Sequence, residues 1–358
     1  MEQDPSVDHR GWPRGRRRKW SAQTERRIKQ IHVALQKDPK EFFSGATAIK
    51  HRWRLKYPAD QPPPLRTIGQ IMKDLGLTVQ SKRGRRKGAA RYLCYPEKTV
   101  YGGWLGERVM EVDFIERRYL QGSGQPLQFI GFSAKSVPRL RYFQRLEDLT
   151  AQTVLTACER FFERFERPQV LKVDNAPAFA GSGSAQRTLS RAVIFLLQHQ
   201  ISPVFSVPRR PFTQASIEGN NSVFSRYFWK RRTFESVEDV DRQLGWFNES
   251  SQRYTDYQRP RPSESRKDFL PQVYFLRQVQ ESEHRPGSGS ISVVNEEVFL
   301  PAAQINFFVL AQWNLKAEQL TVFIEQKERL QTLIEIDFPI NPKTKKKLKK
   351  RGARLSCL

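Results

Sequence analysis

Three acidic residues stand in sequence contexts where an apolar or neutral residue would be easier to bury. Asp113 lies within the β-type run VMEVDFIE, Asp174 ends the run LKVD, and Glu218 lies on a predicted helix in FTQASIEGNNSVF. Carboxylates are hard oxygen ligands suited to Mg²⁺ or Mn²⁺. Two such ions, held by acids from separate elements, can activate an attacking oxygen and stabilise the leaving oxygen of an in-line displacement at phosphorus. We therefore predict that all three acids are catalytic and bind metal, with two ions expected.

The elements that carry these acids suit the role. A short aspartate side chain holds a fixed position on a strand, whereas a glutamate on a helix has extra reach. The turn Asn175-Ala176-Pro177 ends the second strand abruptly and would place Asp174 at the carboxyl edge of the sheet, where open α/β sheets have their sites. Singly, each acid fits a cap or a salt bridge equally well. The order and the element types of all three together favour one shared site.

A competing acid shares the strand face of Asp113. Glu111 precedes it by two residues, which is the period of a strand, while Glu116 points to the opposite face. We predict Asp113 as the first ligand. Glu111 is the alternative ligand, or a partner that supports the ligands.

Other groups are predicted near the helix of Glu218. At helical spacing, Asn221 and Trp229 lie on the face of Glu218. Asn221 is predicted to contact DNA, with a merely solvent-facing position as the alternative, whereas we expect Trp229 to pack in the core rather than against a base. Arg209 and Arg210 precede this helix in a proline-flanked loop, which favours contact with phosphate.

The pattern of residues 105–262 predicts a mixed sheet with α-helices. Three β-type runs come first, and Gly122-Ser123-Gly124 turns the first into the second. Helices and strands then alternate, which predicts helices on both faces of the sheet. The predicted strands are RVMEVDFIE, LQFIGFSA, RLRYFQRL, QVLKVDN and residues 202–207, and the predicted helices cover about 150–167, 185–199, 213–230 and 236–251.

The N-terminal part is predicted to bind DNA. Residues 1–20 form a basic arm that we expect to be disordered until it meets DNA. Within 21–95, three helices are predicted, the last from Leu65 to just before Gly76, as in a helix-turn-helix. Apolar spacing alone fits a plain helical hairpin equally well. The residues predicted to contact DNA are Arg66, Thr67 and Gln70 on the third helix and Lys82, Arg83, Arg85, Arg86 and Lys87 after it.

The C-terminal part is predicted to form a separate module. The residues after Pro262 have the composition of a linker, and Pro286-Gly287-Ser288-Gly289 marks a boundary. Short, evenly spaced β-type runs in residues 288–340 predict a small β-barrel. The segment 341–358 is rich in lysine and is expected to be a mobile basic tail.

The charge balance indicates a polyanionic partner. The chain of 358 residues carries 62 Lys and Arg against 37 Asp and Glu, a net charge of +25. Because basic groups near phosphates release condensed counterions, DNA is the predicted partner, against an anionic membrane surface or simple solubility. No apolar run is long enough to span a bilayer, and no apolar segment follows the basic N-terminus as in a secretory signal. We expect a cytoplasmic, nucleoid-associated protein and no membrane partner.

Residues 107–260 resemble the integrase core shared by bacterial insertion-sequence transposases and retroviral integrases. The resemblance rests on VMEVDFIE around Asp113, on KVDNAPAF around Asp174, which has the family's Asp-Asn pair followed by small and aromatic residues, and on RPFTQASIEGNNSVFSRYFWKRR around Glu218. It covers less than half of the chain, and LRTIGQIMKDLGL also resembles the helix-turn-helix region of such transposases. The resemblance implies a ribonuclease-H-like fold, divalent metal ions and direct phosphoryl transfer without a covalent protein–DNA intermediate.

The sequence departs from the family in three places. The spacing between Asp174 and Glu218 is longer than is common, and GSGSAQ looks like part of an insertion. The basic residue that often follows the glutamate by seven positions is Ser225 here, with Arg226 beside it as the candidate for binding the DNA end. The zinc-binding His/Cys module of the retroviral relatives is absent.

The function implied is that of a DNA transposase that cleaves at the ends of a mobile element and joins the freed ends to target DNA. The expected partners are double-stranded DNA, at the element ends and the target, and further copies of the chain, because two DNA ends must meet. A helper protein is compatible with this function. The alternatives are a ribonuclease-H-like nuclease without joining activity and a domesticated DNA-binding protein.

Overall fold

A computed structural model of the chain describes residues 20–78, 109–134, 140–165, 167–210, 214–255, 269–326 and 329–350. The chain divides into two compact units, residues 1–82 and residues 83–358. The predicted arm up to residue 19 and the predicted DNA contacts Lys82, Arg83, Arg85, Arg86 and Lys87 lie outside the described residues.

The first unit contains the three predicted helices. They are α1 (Ala22–Lys37), α2 (Ala46–Lys56) and α3 (Leu65–Asp74). Helix α1 begins at Ser21, whose side-chain oxygen accepts a hydrogen bond from the Thr24 N–H at 3.2 Å. Gly76 has φ +68°, a conformation that suits glycine and ends α3 as predicted. The core of this unit is aliphatic and aromatic and includes Ile28, Ile31, Leu35, Ile49, Trp53, Ile68 and Ile71.

Helix α3 turns its predicted contact residues away from this core. Arg66 and Gln70 are exposed and Thr67 is half-buried, whereas Ile68 and Ile71 are buried. The Gln70 side chain donates to Asp74 at 2.8 Å, within the same helix. The helices are confirmed, and their use as a helix-turn-helix stays a prediction.

The second unit is built on a nine-stranded mixed sheet. Its order is β12-β11-β10-β6-β5-β4-β1-β2-β3, and a three-stranded sheet β7-β8-β9 accompanies it. The strands are β1 (Val109–Tyr119), β2 (Pro126–Ala134), β3 (Leu140–Leu146), β4 (Val170–Val173), β5 (Ser202–Phe205), β6 (Gln272–Gln278), β7 (Gln280–Glu281), β8 (Gly289–Val293), β9 (Glu296–Leu300), β10 (Phe308–Asn314), β11 (Gln319–Gln326) and β12 (Arg329–Asp337). Strands β1 to β3 are antiparallel neighbours, whereas β4 and β5 continue the sheet in parallel from β1.

Helices cover both faces of the sheet, as predicted. They are α4 (Ala151–Arg164), α5 (Pro177–Ala180), α6 (Arg191–Gln198), α7 (Ala215–Val223) and α8 (Val237–Arg253). Phe129 and Phe132 lie on opposite faces of β2 because successive side chains alternate. Phe132 stacks on Phe161 of α4, while Phe129 packs on Phe224 beyond α7. No helix in the described ranges is long and apolar enough to cross a membrane.

One predicted helix changes its geometry partway along. After α7 the chain continues as a π-helix, Phe224–Trp229, rather than as α-helix to about residue 230. The predicted alignment of Trp229 with Glu218 assumed 3.6 residues per turn, so it does not extend through this wider turn. Trp229 packs against Phe129 and Phe234, which agrees with the predicted core role.

The predicted separate barrel at residues 288–340 is not confirmed. Strand β6 lies in the segment predicted as a linker, and it pairs with β5 on one side and β10 on the other. Strands β10, β11 and β12 therefore extend the central sheet, and the ladders of the described residues do not close into a ring. The physical reason is that β6 covers the outer edge of β5, whose backbone groups would otherwise be unpaired.

The segment predicted as a mobile tail is helical in its first part. Helix α9 covers Pro342–Lys350. Asn341 starts it, because its side-chain oxygen accepts the Lys343 N–H at 3.0 Å. Lys345 forms an ion pair with Glu318 at 2.5 Å. Residues 351–358 lie outside the described residues.

The shared sheet predicts how the second unit unfolds. Trp313 on β10 is fully buried, and its indole N–H donates to the Phe338 carbonyl at 2.8 Å. Trp313→Ala should cost about 3–5 kcal/mol, the usual loss for a buried aromatic side chain. Urea unfolding should show the transition of the whole 83–358 unit shifted. The control is Phe307→Ala, because that side chain is 54% exposed. An independent C-terminal transition that alone responds to Trp313→Ala would contradict the shared sheet.

Candidate active site

The register between β1 and β4 brings two of the predicted acids together. Val109 pairs with Val170, Met110 with Leu171 and Glu111 with Lys172 in a parallel ladder. Continuing that register places Asp174, just beyond the end of β4, opposite Asp113. Neighbouring strands lie about 4.8 Å apart, so the two aspartates are neighbours at the carboxyl end of β4.

The negative charges of both other acids act on Asp113. The pKa of Asp113 is raised to about 7, chiefly by burial and then by the negative charges of Asp174 and Glu218. Hydrogen bonds from the Phe114 N–H at 2.9 Å and from the Asn221 side chain at 3.0 Å oppose this rise in pKa. The three predicted acids therefore share one electrostatic environment.

The other two acids differ in their surroundings. Burial raises the pKa of Asp174, and the Ala176 N–H, which donates to its carboxylate at 3.1 Å, works in the opposite direction. Burial also raises the pKa of Glu218, which is less enclosed than either aspartate. Burial disfavours the charged form of a carboxylate, so all three shifts have the same sign.

Helix α7, which carries Glu218, is fixed to the sheet through its first turn. The Glu111 carboxylate accepts the Ile217 N–H at 2.8 Å. Lys172 of β4 lies 3.6 Å from the other oxygen of Glu111, and both side chains are only 5% exposed. A carboxylate at the start of a helix is favourable because the first N–H groups lack partners within the helix. Glu111 thus supports the helix of Glu218, which is the second of its two predicted roles.

A second set of polar contacts fixes the same helix. The Asn220 oxygen accepts from Arg141 Nε at 2.8 Å, and its nitrogen donates to Ser133 Oγ at 2.5 Å. Ser133 of β2 pairs with Glu111 on one side and with Arg141 on the other. We call the four side chains Lys172, Glu111, Ser133 and Arg141 the polar row. It crosses four adjacent strands beneath α7.

Sequence reasoning missed most of the polar row. Lys172 stands in the short strand VLKV, all of whose residues are buried. A lysine in so apolar a run is itself a signal, because lysine is almost never fully buried unless paired. Arg141 gave no such signal, and burial lowers its pKa to about 10.

Asn221, a predicted DNA contact, bonds one of the acids. Its side-chain nitrogen donates to the Asp113 carboxylate at 3.0 Å, and contact with DNA stays a prediction. Gly131 of β2, the register partner of Asp113, leaves room for the Asn221 side chain. A Cβ on Gly131 would lie 2.9 Å from the Phe143 ring and 3.1 Å from the Asn221 oxygen. Asn221 therefore orients the Asp113 carboxylate.

Three predicted DNA contacts, two after β5 and one on the π-helix, are exposed. Arg209 has φ +58° in the turn after β5, and Arg210 donates to Gln278 at 2.9 and 3.2 Å. Arg226 on the π-helix donates to Ser222 at 3.1 Å. Their exposure leaves them accessible, and contact with DNA stays a prediction.

A cleft of about 1180 Å³ adjoins the turn that follows Asp174. Asn175, Arg209 and Arg210 line it together, so two of the predicted phosphate contacts lie beside that turn. The wall from β7 to β9 is acidic in part and contributes Glu281, Glu283, Glu296 and Glu297.

The donor set fits a hard divalent cation by its chemistry. Asp113, Asp174 and Glu218 offer carboxylate oxygens, the ligands that Mg²⁺ and Mn²⁺ prefer. A cation among them would offset the burial and the mutual repulsion that raise the pKa of Asp113. As the side chains stand, no group of three or more His, Cys, Asp or Glu residues in the described ranges meets the geometry of a metal site. Metal binding therefore stays a prediction.

The buried pair in the polar row predicts a large effect of losing one partner. Lys172→Met leaves Glu111 buried with its charge less well compensated, which should cost about 3–5 kcal/mol in urea unfolding. The double variant with Glu111→Gln should recover most of that loss. The control is Arg145→Ala, which breaks a pair with Asp241 on more exposed side chains and should cost at most about 1 kcal/mol. If Lys172→Met lowered the free energy of unfolding no more than the control does, Lys172 and Glu111 would not form a buried ion pair.

The raised pKa of Asp113 predicts the pH dependence of stability without metal. The folded-state pKa of Asp113 is about 7 rather than 3.8, so its carboxyl group favours the folded state while it is protonated. This contribution to stability is complete below the ordinary pKa of 3.8 and is lost as pH rises through about 7. In EDTA, Asp113→Asn should exceed the wild type in stability by on the order of 3 kcal/mol at pH 8 and match it near pH 4. Asp148→Asn should show no such gain, because hydrogen bonds lower the pKa of exposed Asp148. Equal stabilities of Asp113→Asn and wild type at pH 8 would contradict the shift.

The chain was compared with known proteins. No protein-family model matches the sequence, and no curated protein matches it. Among solved structures, the catalytic core domain of BIV integrase has a TM-score of 0.29 and 15% identity, covering 44% of this chain and 88% of that chain. A chain of the simian T-cell lymphotropic virus intasome in complex with PP2A regulatory subunit B56 gamma has a TM-score of 0.35 and 12% identity, covering 77% of this chain and 97% of that chain. With scores and identities this low, neither likeness establishes a family or an activity for this chain.

Proposed function

We propose that this protein is a DNA transposase, a metal-dependent polynucleotidyl transferase of the integrase type. The observation that carries the proposal is the association of Asp113, Asp174 and Glu218. The parallel register of β1 and β4 supports it for the aspartates, and the effect of both other charges on the pKa of Asp113 supports it for the trio. Acids that are costly to bury and raise one another's pKa are typical of functional sites.

The fold supports the same proposal. The resemblance in the sequence implies a ribonuclease-H-like core, and the second unit is a mixed sheet with an antiparallel β1–β3, parallel β4 and β5, and helices on both faces. Asp174 follows the carboxyl end of a parallel strand, which is where ligands bind in open α/β sheets.

The proposed reaction consists of two in-line displacements at phosphorus. Hydrolysis at the end of the element frees a 3′-hydroxyl. That hydroxyl then attacks a phosphodiester of the target DNA, forming a new P–O bond while the target's own 3′-oxygen leaves and takes up a proton. Bound divalent ions would supply a lower pKa for the attacking oxygen and charge stabilisation at phosphorus. Asp113, Asp174 and Glu218 would hold them.

The surrounding residues keep these acids oriented. Asn221 donates to Asp113, so the aspartate presents its carboxylate in one orientation. Glu111 and Asn220 hold α7 on the sheet, and with it Glu218. Fixed ligand orientation is what supporting hydrogen bonds contribute to metal sites.

The proposed partners are double-stranded DNA and further copies of the chain. The net charge of +25 supports binding to DNA. Arg209 and Arg210, exposed beside the turn after Asp174, and Arg226, exposed on the π-helix, suit phosphate. Arg66 and Gln70 on α3 suit a separate DNA contact. Two copies would bring two ends of the element together. We place the protein in the bacterial cytoplasm, on the nucleoid.

The test is a strand-transfer assay with purified full-length protein. It uses DNA ends taken from beside the gene, a supercoiled target, and Mg²⁺ or Mn²⁺. Asp174→Asn should reduce joined product by more than about 100-fold, the upper range for residues that merely support metal ligands. Asp148→Asn, an exposed aspartate away from the proposed site, should transfer strands like the wild type.

The other outcomes point to other functions. Cleavage without joining by the wild type would replace the transposase with a nuclease that uses the same acids. Salt-sensitive DNA binding without cleavage in either metal would favour a DNA-binding protein that retains the fold. Full activity of Asp174→Asn would exclude the proposed site.

A further inference from the structure

Arg277 on β6 occupies an unusual position for a charged side chain. It is only 8% exposed, and burial lowers its pKa to about 10. Its Nε donates to the Ser292 carbonyl of β8 at 2.8 Å, and its Nη1 donates to the carbonyls of Leu276 at 2.8 Å and Ser206 at 3.1 Å. Its Nη2 donates to the Asn175 side-chain oxygen at 3.1 Å. One guanidinium thus joins two C-terminal strands to the residues that follow β5 and β4.

Asn175 is held at both ends of its amide. Its nitrogen donates to the Ser206 carbonyl at 2.7 Å while its oxygen accepts from Arg277. Ser206 is itself held to β4, because its N–H donates to the Val173 carbonyl at 2.9 Å. Asn175 directly follows Asp174, so fixing its side chain fixes the turn from which the Asp174 carboxylate projects.

We propose that Arg277 is a positioning residue for the candidate active site, acting on Asp174 through Asn175. The inference rests on the proposed function, in which Asp174 binds metal. In this proposal, strands β6 and β8 help to position Asp174, and they do not merely extend the second unit.

The chemistry of arginine explains why this residue type stands here. Its planar guanidinium carries five N–H donors in a fixed fork, which suits several oxygens held in set directions. A lysine has a single flexible ammonium group and cannot reproduce that geometry. Burying a charge is costly unless it is well hydrogen-bonded, and an apolar side chain would fill the space at lower cost. The four oxygens that Arg277 contacts offset that cost and are fixed in return.

The first readout needs neither metal nor DNA. In EDTA, hydrogen exchange of the peptide that covers residues 174–181 reports on the turn, because the N–H groups of Ala176, Phe179, Ala180 and Gly181 are bonded there. Arg277→Met and Asn175→Ala should each raise exchange in this peptide by at least about tenfold. Val322→Ala, a buried truncation on β11, which does not pair with β6, is the matched control for general destabilisation and should leave the peptide protected. Unchanged exchange in Arg277→Met would overturn the proposal.

The second readout is the affinity for Mn²⁺ alone, measured by electron paramagnetic resonance. Arg277→Met and Asn175→Ala should each weaken binding by about 10–100-fold, the usual effect of losing a residue that supports a ligand. Their double variant should lose little more, because both act through one path. Arg277→Lys, which keeps the charge, should fold and fail to restore affinity. Additive losses, or full affinity in Arg277→Lys, would overturn the path through Asn175.

The two readouts separate this proposal from the proposed function. If the wild type binds no Mn²⁺ and joins no DNA, the proposed function fails, and hydrogen exchange still decides whether Arg277 holds the turn. If the wild type joins DNA and Arg277→Met does so at the same rate with the same exchange, only the role of Arg277 fails.

Discussion

The parallel register of β1 with β4 is the constraint on which the candidate site depends. A shift of one residue would turn Asp113 to the opposite face of the sheet, because strand side chains alternate. The register is held by apolar pairs at the start of the two strands and by the Glu111–Lys172 pair next to the aspartates. The same ion pair therefore aligns the strands and, through the Ile217 N–H, seats the helix that carries Glu218.

Charge is concentrated in this part of the sheet at a cost to stability. Buried acids are unfavourable alone, and each member of the polar row is offset by a named contact in a neighbouring element. Asp113 is offset less completely, since its pKa remains raised by burial and by its acidic neighbours. Acids that repel one another in this way stay close only when the surrounding elements hold them from several sides.

That support comes from both sides of the candidate site. Strand β6 covers the edge of β5 and carries Arg277 toward Asn175 on the side of Asp174. On the other side, Asn248 of α8 bonds both the N–H and the carbonyl of Phe143 on β3, an edge strand of the sheet. The central strands are thus enclosed, and the candidate site lies where β1 and β4 meet.

The sequence by itself was enough to predict the three acids as one site, the elements that carry them and the mixed α/β class. Strand and helix periodicities and the Asp-Asn turn are local patterns, so they can be read without the fold. The sequence also predicted the three N-terminal helices through caps and apolar spacing. It did not reveal β6, the π-helix or the polar row, since each depends on partners distant in the chain. The contact of Asn221 with Asp113 was not predicted either, because it joins α7 to β1, with Gly131 of β2 leaving room for the Asn221 side chain. Only the tertiary structure decided that Glu111 bonds the first turn of α7 while Asp113 lies within reach of the other two acids, because that depends on the backbone N–H groups and charges that folding brings together.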